Sequence, residues 1–383
     1  MMDLSYIINQ LGEERENYFN AVSPPIIQTS NFAFKDVDSM TYALANEKEI
    51  PCYTRGNNPT VEILRKKVAA LEKTEDSLIM SSGMAAISTA VLANIKSGDH
   101  IVCVSNPYGW TKKLLGSFLL KFNVEVTFID GKETENFLKN TKDNTKLYFL
   151  ESPNSLTFEL QDLETISKIA KDKNIITILD NSYSSPINQN PHELGIDIVV
   201  HSATKYIGGH SDVVAGTICS TKDMIKKIFH DEFMTLGGII SPNDAWLMIR
   251  GLRTLEIRME RVKSTTEKIL EYFENNKKVK NIFYPFYKKN PQYDLALKQM
   301  KAGSGLITIE LNTNNLDEIK DFCNSLKRFL FAVSWGGYES LVLPTCVLPN
   351  MKNNLVRFSI GLESADVLIE DLKNAFEKIK EIS

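Results

Sequence analysis

The sequence predicts an α/β fold: a large unit on a mainly parallel sheet flanked by helices, then a smaller α+β unit. Three observations predict it. From about residue 77, short apolar runs alternate with helical stretches, and strands separated by helices are joined by crossovers and lie parallel. Most of those runs are apolar without alternation with polar residues, as strands covered on both faces require. After about residue 243 the texture changes, and 383 residues are more than one core usually organises.

Taken in order, SLIM (77–80) reads as a strand, 83–95 as a helix, HIVCV (100–104) as a strand and 110–122 as a helix. Strands follow at 124–129, 146–150 and 175–179, with helical stretches at 133–140 and 163–172 between them, then strands at 197–201 and 213–219. A long helix over 244–275 leads to a strand at 305–311, a helix at 316–326, strands at FAVSW (331–335) and LVRFSI (355–360), and a last helix from Ala365. Residues 1–55 read as an arm, 56–243 as the large domain and 244–383 as the small one. The sequence shows no repeat and no low-complexity tract.

Hydrophobic residues make up 43% and charged ones 24%, ordinary for a globular chain and against disorder. The net charge is −4. Lysine-rich stretches such as 278–289 are broken by apolar residues, so they read as solvated faces and not as a nucleic-acid footprint. No apolar run reaches membrane length, and MMDLSYIINQ lacks the basic start and apolar core of a signal peptide. A cytoplasmic protein without membrane or nucleic-acid partners is the expectation. The five cysteines are widely spaced with no C-x-x-C, which argues against disulfides and zinc. Cys103 and Cys219 sit in apolar strands, where a buried inert thiol is expected. The histidines show no metal spacing, and no metal is expected.

Three pieces point to chemistry. In SSGMAA (81–86) a strand gives way to a helix across Ser81, Ser82 and Gly83. Free N–H groups and the helix dipole there suit a phosphate, and glycine permits close approach. A plain turn with an N-cap reads the same way. Asp180 ends the strand IITIL, where the carboxyl ends of parallel strands line a ligand crevice. Such a carboxylate caps a loop or pairs with a protonated pyridine nitrogen. In HSATKYIGGHSD (201–212), Lys205 follows a strand between Ser202, Thr204 and the Gly208–Gly209 pair. Most lysines are surface lysines, but one in a partly dry site loses basicity and becomes an amine nucleophile.

Phosphate cradle, acid and lysine follow one another, each at a strand end. Together with SPPIIQTSNFAF, YTRGNNPT, ESPNS, DNSY, GLRTL, WGGYESL and RFSIGLE, they make the chain resemble the cystathionine/methionine metabolism family of pyridoxal-phosphate enzymes, from about Ser23 to the C-terminus. The resemblance implies the type I aminotransferase fold, with Lys205 bound to pyridoxal 5'-phosphate as an imine and Asp180 holding the ring nitrogen protonated. It implies that Tyr108 stacks on the ring and assists proton transfer. Ser82, Gly83 and Met84, with the hydroxyls of Ser202 and Thr204, would hold the phosphate. Tyr53 and Arg55 would reach the phosphate of a neighbouring subunit, in at least a dimer and usually a homotetramer. Ser334 and Arg357 would meet the substrate carboxylate, since Arg binds carboxylates bidentately.

Local features bear on the reaction. SWGGYESL with Trp335, ESPNSLTFEL, and Ser155 near the cofactor's phenolic oxygen are similar to bacterial cystathionine β-lyases. Val333 stands where cystathionine γ-lyases and γ-synthases typically have glutamate, and valine cannot attract the distal ammonium of cystathionine. Trp110 fills the place of the reactive cysteine of methionine γ-lyases, and Lys113 replaces a carboxylate-side arginine. YTRGNNPT, by contrast, is closer to the γ-type enzymes. The expectation is a carbon–sulfur lyase performing α,β-elimination on cystathionine or a related cysteine thioether. Alternatives are γ-elimination, γ-replacement on an O-acyl homoserine, and a non-catalytic cofactor binder. The last predicts a damaged site, whereas lysine, aspartate, tyrosine and arginine are all kept here.

Overall fold

A computed structural model describes residues 3–380. The first sheet has seven strands: β1 (Asp76–Met80), β2 (His100–Val104), β3 (Glu125–Ile129), β4 (Thr145–Glu151), β5 (Ile176–Asp180), β6 (Ile198–His201) and β7 (Gly216–Ser220). Their order is β1-β7-β6-β5-β4-β2-β3. Strands β2 to β6 pair in parallel, while β7 is antiparallel to both β6 and β1. Strands β2, β6 and β7 are buried at every position, which is why they read as unbroken apolar runs. The thiols of Cys103 and Cys219 lie in this core, and burial pushes both well above the usual thiol range.

The second sheet has five strands, β8 (Val279–Phe283), β9 (Leu306–Leu311), β10 (Leu330–Phe331), β11 (Leu341–Pro344) and β12 (Leu355–Ser359), in the order β10-β11-β12-β9-β8. Its pairings are antiparallel except β10 with β11. The core of the first sheet runs on to Val262 and that of the second begins at Ile269, so the helix Leu255–Glu274 serves both.

Three expectations change in detail. The helix at 110–122 is α-helical only over Gly109–Lys113, then π-helical over Leu114–Phe118 and 3-10 over Leu119–Phe122. The π turn brings Gly116 against Phe128 of β3, where a Cβ would come within 3.0 Å of the ring. The helix at 244–275 is two helices, Pro242–Leu252 and Leu255–Glu274. Arg258 lies across the break, donating to the carbonyls of Gly251 (2.9 Å) and Tyr206 (2.8 Å). FAVSW is a strand only at its first residue. Arg357 takes the Val333 carbonyl, and Gly336 (φ +81°) turns the chain back, so the segment becomes a loop against Lys205. Strand β8 was hidden because its sequence, VKNIF, exposes two central polar residues and reads as solvated.

The start of the described chain is pinned to the large unit by a buried ion cluster. Lys67 is fully buried; its Nζ donates to the carbonyls of Ile7 (3.0 Å) and Ile8 (2.9 Å) and pairs with Glu13 (3.1 Å), which also meets Arg253.

Candidate active site

The carboxyl ends of β4, β5 and β6 place three polar segments side by side. Asp180 closes β5 and is buried, because its strand neighbours pack between helices. Its Oδ1 accepts both the N–H (2.9 Å) and the O–H (2.5 Å) of Ser182. Ser182 Oγ in turn accepts the N–H of Ser202 (2.7 Å), so the ends of β5 and β6 are tied together. Burial pushes the Asp180 carboxyl up, opposed by the Ser182 hydrogen bonds and by the charges of His201 and Lys205.

Lys205 follows β6 by one turn, its N–H bonded to the Ser202 carbonyl at 3.0 Å. Its Nζ donates to Ser334 Oγ at 2.6 Å and lies 5.4 Å from the centre of the Trp335 ring. Trp335 is held by Tyr206, ring to ring at 5.5 Å. The loop approaches this closely because position 336 is glycine in the left-handed region; a Cβ there would lie 3.2 Å from Lys205 Cα. Burial first, and then the nearby Arg357 charge, lower Lys205 to about 8, with Asp180 opposing. Near neutrality this amine spends an appreciable fraction of its time uncharged.

Arg357, on β12, is buried, and its partners among the described residues are backbone carbonyls alone: it donates to those of Ser155 (3.3 Å) and Val333 (3.1 Å). Burial lowers it to about 10. A buried guanidinium without a carboxylate partner has donors to spare for an anionic ligand.

Tyr108 is partly exposed. Burial, then Asp180 and Glu151, push its phenol up, so it keeps its proton. Sequence reasoning missed Glu151. This buried residue ends β4 directly beside Asp180 in the register, accepts the Tyr108 N–H at 2.6 Å and shares a short hydrogen bond with the Ser155 hydroxyl. The signal was available: Glu151 follows the apolar run KLYFL just as Asp180 follows IITIL.

The helix Gly83–Leu92 starts beside Ser202. Ser82 is its N-cap, accepting the Ala85 N–H at 3.0 Å. The Gly83 and Met84 amides have no partner among the described residues. A Cβ on Gly83 would lie 2.7 Å from Ser202 Cβ, so only glycine lets the two segments meet. Thr204 Oγ1 is engaged by the Ala215 backbone (3.2 Å and 3.0 Å), which leaves Ser202 as the hydroxyl free for a ligand.

The remaining expected residues, Tyr53, Arg55, Trp110 and Lys113, are exposed. Trp110 is exposed with Lys113 over its ring at 5.0 Å, and exposed Tyr53 carries Arg55 at 5.6 Å. Among the described residues no hydrogen bond joins these four to Lys205, Asp180 or Arg357.

This donor set fits pyridoxal phosphate. There is an amine of lowered basicity for the carbonyl, a carboxylate with Oδ2 free for the ring nitrogen, and two open helix amides with a hydroxyl for the phosphate. Known proteins agree. The chain is 37% identical to an L-methionine gamma-lyase of Fusobacterium nucleatum, with 95% of each chain covered. It is 36% identical to a cystathionine beta-lyase of Lactococcus lactis subsp. cremoris, covering 96% of this chain and 97% of that one. The crystal structure of metB from Corynebacterium glutamicum superposes with a TM-score of 0.93 at 33% identity over 99% of both chains. The type I fold expected from the sequence is therefore the fold of the chain. A family model, Cys/Met metabolism PLP-dependent enzyme, matches residues 6–377, and the chain belongs to that family.

Proposed function

We propose that the protein is a carbon–sulfur lyase that carries out α,β-elimination on cystathionine or a related cysteine thioether, giving pyruvate, ammonia and a thiol. The observation that carries the reading is Lys205, an amine of lowered basicity between Ser334, Trp335 and the Arg357 charge. Pyridoxal phosphate, when bound, supplies a carbonyl for amine exchange and a ring that takes up the electrons of the broken Cα–H bond. Lys205 and Asp180 would hold its carbonyl and ring nitrogen, and Gly83, Met84 and Ser202 its phosphate.

The chain's own residues then do the following. Arg357 binds the substrate carboxylate with its spare donors, with Ser334 beside it. Lys205 Nζ, once free of the cofactor, would take the α-proton. The thiolate leaves from Cβ and is protonated from Lys205 Nζ or from Tyr108 Oη, a phenol that still carries its proton. Water completes the hydrolysis of the remaining three-carbon fragment to pyruvate and ammonia. Val333, exposed beside Arg357, and Trp335 offer no carboxylate at these positions for a distal ammonium, which favours β- over γ-elimination of cystathionine.

Methionine γ-elimination is the second reading, supported by the name of the Fusobacterium relative. The keto acid decides. Pyruvate with homocysteine from L-cystathionine supports β-elimination; 2-oxobutyrate from cystathionine or methionine overturns it. Lys205→Ala should abolish turnover, and substantial retained activity would sink the assignment. We further propose a cytoplasmic homotetramer in which residues 1–55 reach a neighbouring subunit. Exposed Phe19, Val22, Val37, Met40 and Tyr42 on this arm support it, and light scattering of the purified holoenzyme tests it.

A further inference from the structure

Glu151 and Asp180 are paired residues on neighbouring parallel strands, so their side chains leave the same face about 5 Å apart. Both are buried. Two carboxylates so placed cannot both stay ionised cheaply, and one must hold a proton. The hydrogen bonds say which. Asp180 Oδ1 receives an N–H and an O–H from Ser182, and that hydroxyl already accepts the Ser202 N–H, so its hydrogen is committed to Asp180. Glu151 has a single obligate donor, the Tyr108 N–H on Oε2 at 2.6 Å. Its other oxygen, Oε1, faces Ser155 Oγ, a hydroxyl that can give or take.

We propose that Glu151 is a positioning residue that acts as a neutral acid: the proton on its Oε1 is donated to Ser155 Oγ, which turns the Ser155 hydrogen away from Glu151 and towards an anionic oxygen of the bound cofactor, and leaves Asp180 as the one carboxylate charge at the strand ends. This rests on the reading that Ser155 and Asp180 line the cofactor site. When Glu151 ionises, the same hydrogen bond reverses. Ser155 must then donate to Oε1 and no longer reaches the cofactor, and a second negative charge appears beside Asp180. The Tyr108 N–H is kept in both states, so the change is confined to one hydrogen and one charge.

The surroundings favour the neutral form near neutrality. Burial and the Asp180 charge raise Glu151 to about 8, against the Ser155 and Tyr108 hydrogen bonds. The other groups facing it are the Tyr108 phenol and, from β2, the Cys103 thiol, both pushed up. Lys112 lies behind, donating to the Ser105 carbonyl at 3.0 Å. Arg357 acts through the Ser155 carbonyl and Lys205 through Asp180.

The test is infrared difference spectroscopy with a parallel visible titration of the holoenzyme. On raising the pH from about 6.5 to about 9.5, the wild type should lose a carboxylic-acid carbonyl band, and Glu151→Gln should show no such loss. The glutamine amide donates to Ser155 at every pH, so the midpoint of the visible cofactor band should move by about one unit or more. Ser155→Ala should keep the infrared change but shift the visible midpoint, which remains decisive if Glu151→Gln fails to fold. An infrared band that survives in Glu151→Gln, or identical visible titrations in wild type and Ser155→Ala, would overturn the proposal. Failure of the cofactor-site reading looks different: Lys205→Ala would keep the wild-type visible band while the infrared change at Glu151 stayed.

Discussion

Arg357→Gln removes the one buried cation near Lys205 that has only carbonyl partners. If its spare donors hold the substrate carboxylate, a bidentate charge-assisted contact is lost, costing about 2–4 kcal/mol. That corresponds to roughly a 30- to 900-fold fall in kcat/KM. A second effect has a fixed sign. After burial, Arg357 is the main cause of the lowered Lys205 basicity, so without it Lys205 moves up from about 8 and the uncharged amine appears at higher pH. In exchange with an amine that lacks the carboxylate, which frees Lys205 without neutralising Arg357, the acidic limb should therefore shift to higher pH. The assay is keto-acid release from L-cystathionine across pH, beside cofactor exchange with an amine that lacks the carboxylate. The carboxylate-free amine should show the pH shift but not the large loss. A change in kcat/KM under about threefold, with the limb unmoved, would refute the placement of the carboxylate at Arg357.

Other substitutions probe what shapes the site. Gly83→Ala sets a Cβ 2.7 Å from Ser202 Cβ and 2.9 Å from its Cα; forcing the segments apart should cost about 1–3 kcal/mol and weaken pyridoxal-phosphate uptake, read by thermal shift and by titration of the apo-protein. Lys67→Met strands the Ile7 and Ile8 carbonyls and buried Glu13, and should lower stability in urea by about 3–5 kcal/mol. For Glu151 the sign follows from its raised value: the folded chain keeps a proton that the unfolded chain releases above 4.5, so stability falls as pH climbs from there to about 8. Measured in the apo-protein, Glu151→Gln should flatten that part of the curve, and identical slopes would contradict the neutral-acid assignment.

The strands of the first sheet were legible because all but the edge strand β3 are largely buried on both faces and are bounded by polar turns. The second sheet was less so. Strand β8 is paired on one edge with its polar residues outward, and β11 is only Leu341–Pro344 after a glycine turn. The break at 253–254 depends on where the Arg258 guanidinium finds carbonyls, a tertiary contact that no periodicity reports. In the site, Asp180 and Lys205 stood out because each follows an apolar run. Ser182 did not, since its role is to bind Asp180 and Ser202 at once, and adjacency of β5 and β6 cannot be read from one strand. Glu151 also follows an apolar run, but its partnership with Asp180 appears only when the register sets the two side by side.

The buried charges of the site are coupled in a way that serves the proposed chemistry. Lys205 is depressed partly by Arg357, and Arg357 lacks an anion of its own. A substrate carboxylate at Arg357 neutralises that charge and removes its contribution to the depression. Lys205 Nζ thus gains basicity when the substrate is seated, which is when an α-proton must be taken. A neutral Glu151 keeps this balance simple, because Asp180 alone opposes Lys205 from the strand ends. An ionised Glu151 would add a second carboxylate beside Asp180 and blunt the difference that the substrate carboxylate makes. The position of one proton at the end of β4 thereby bears on the readiness of an amine at the end of β6.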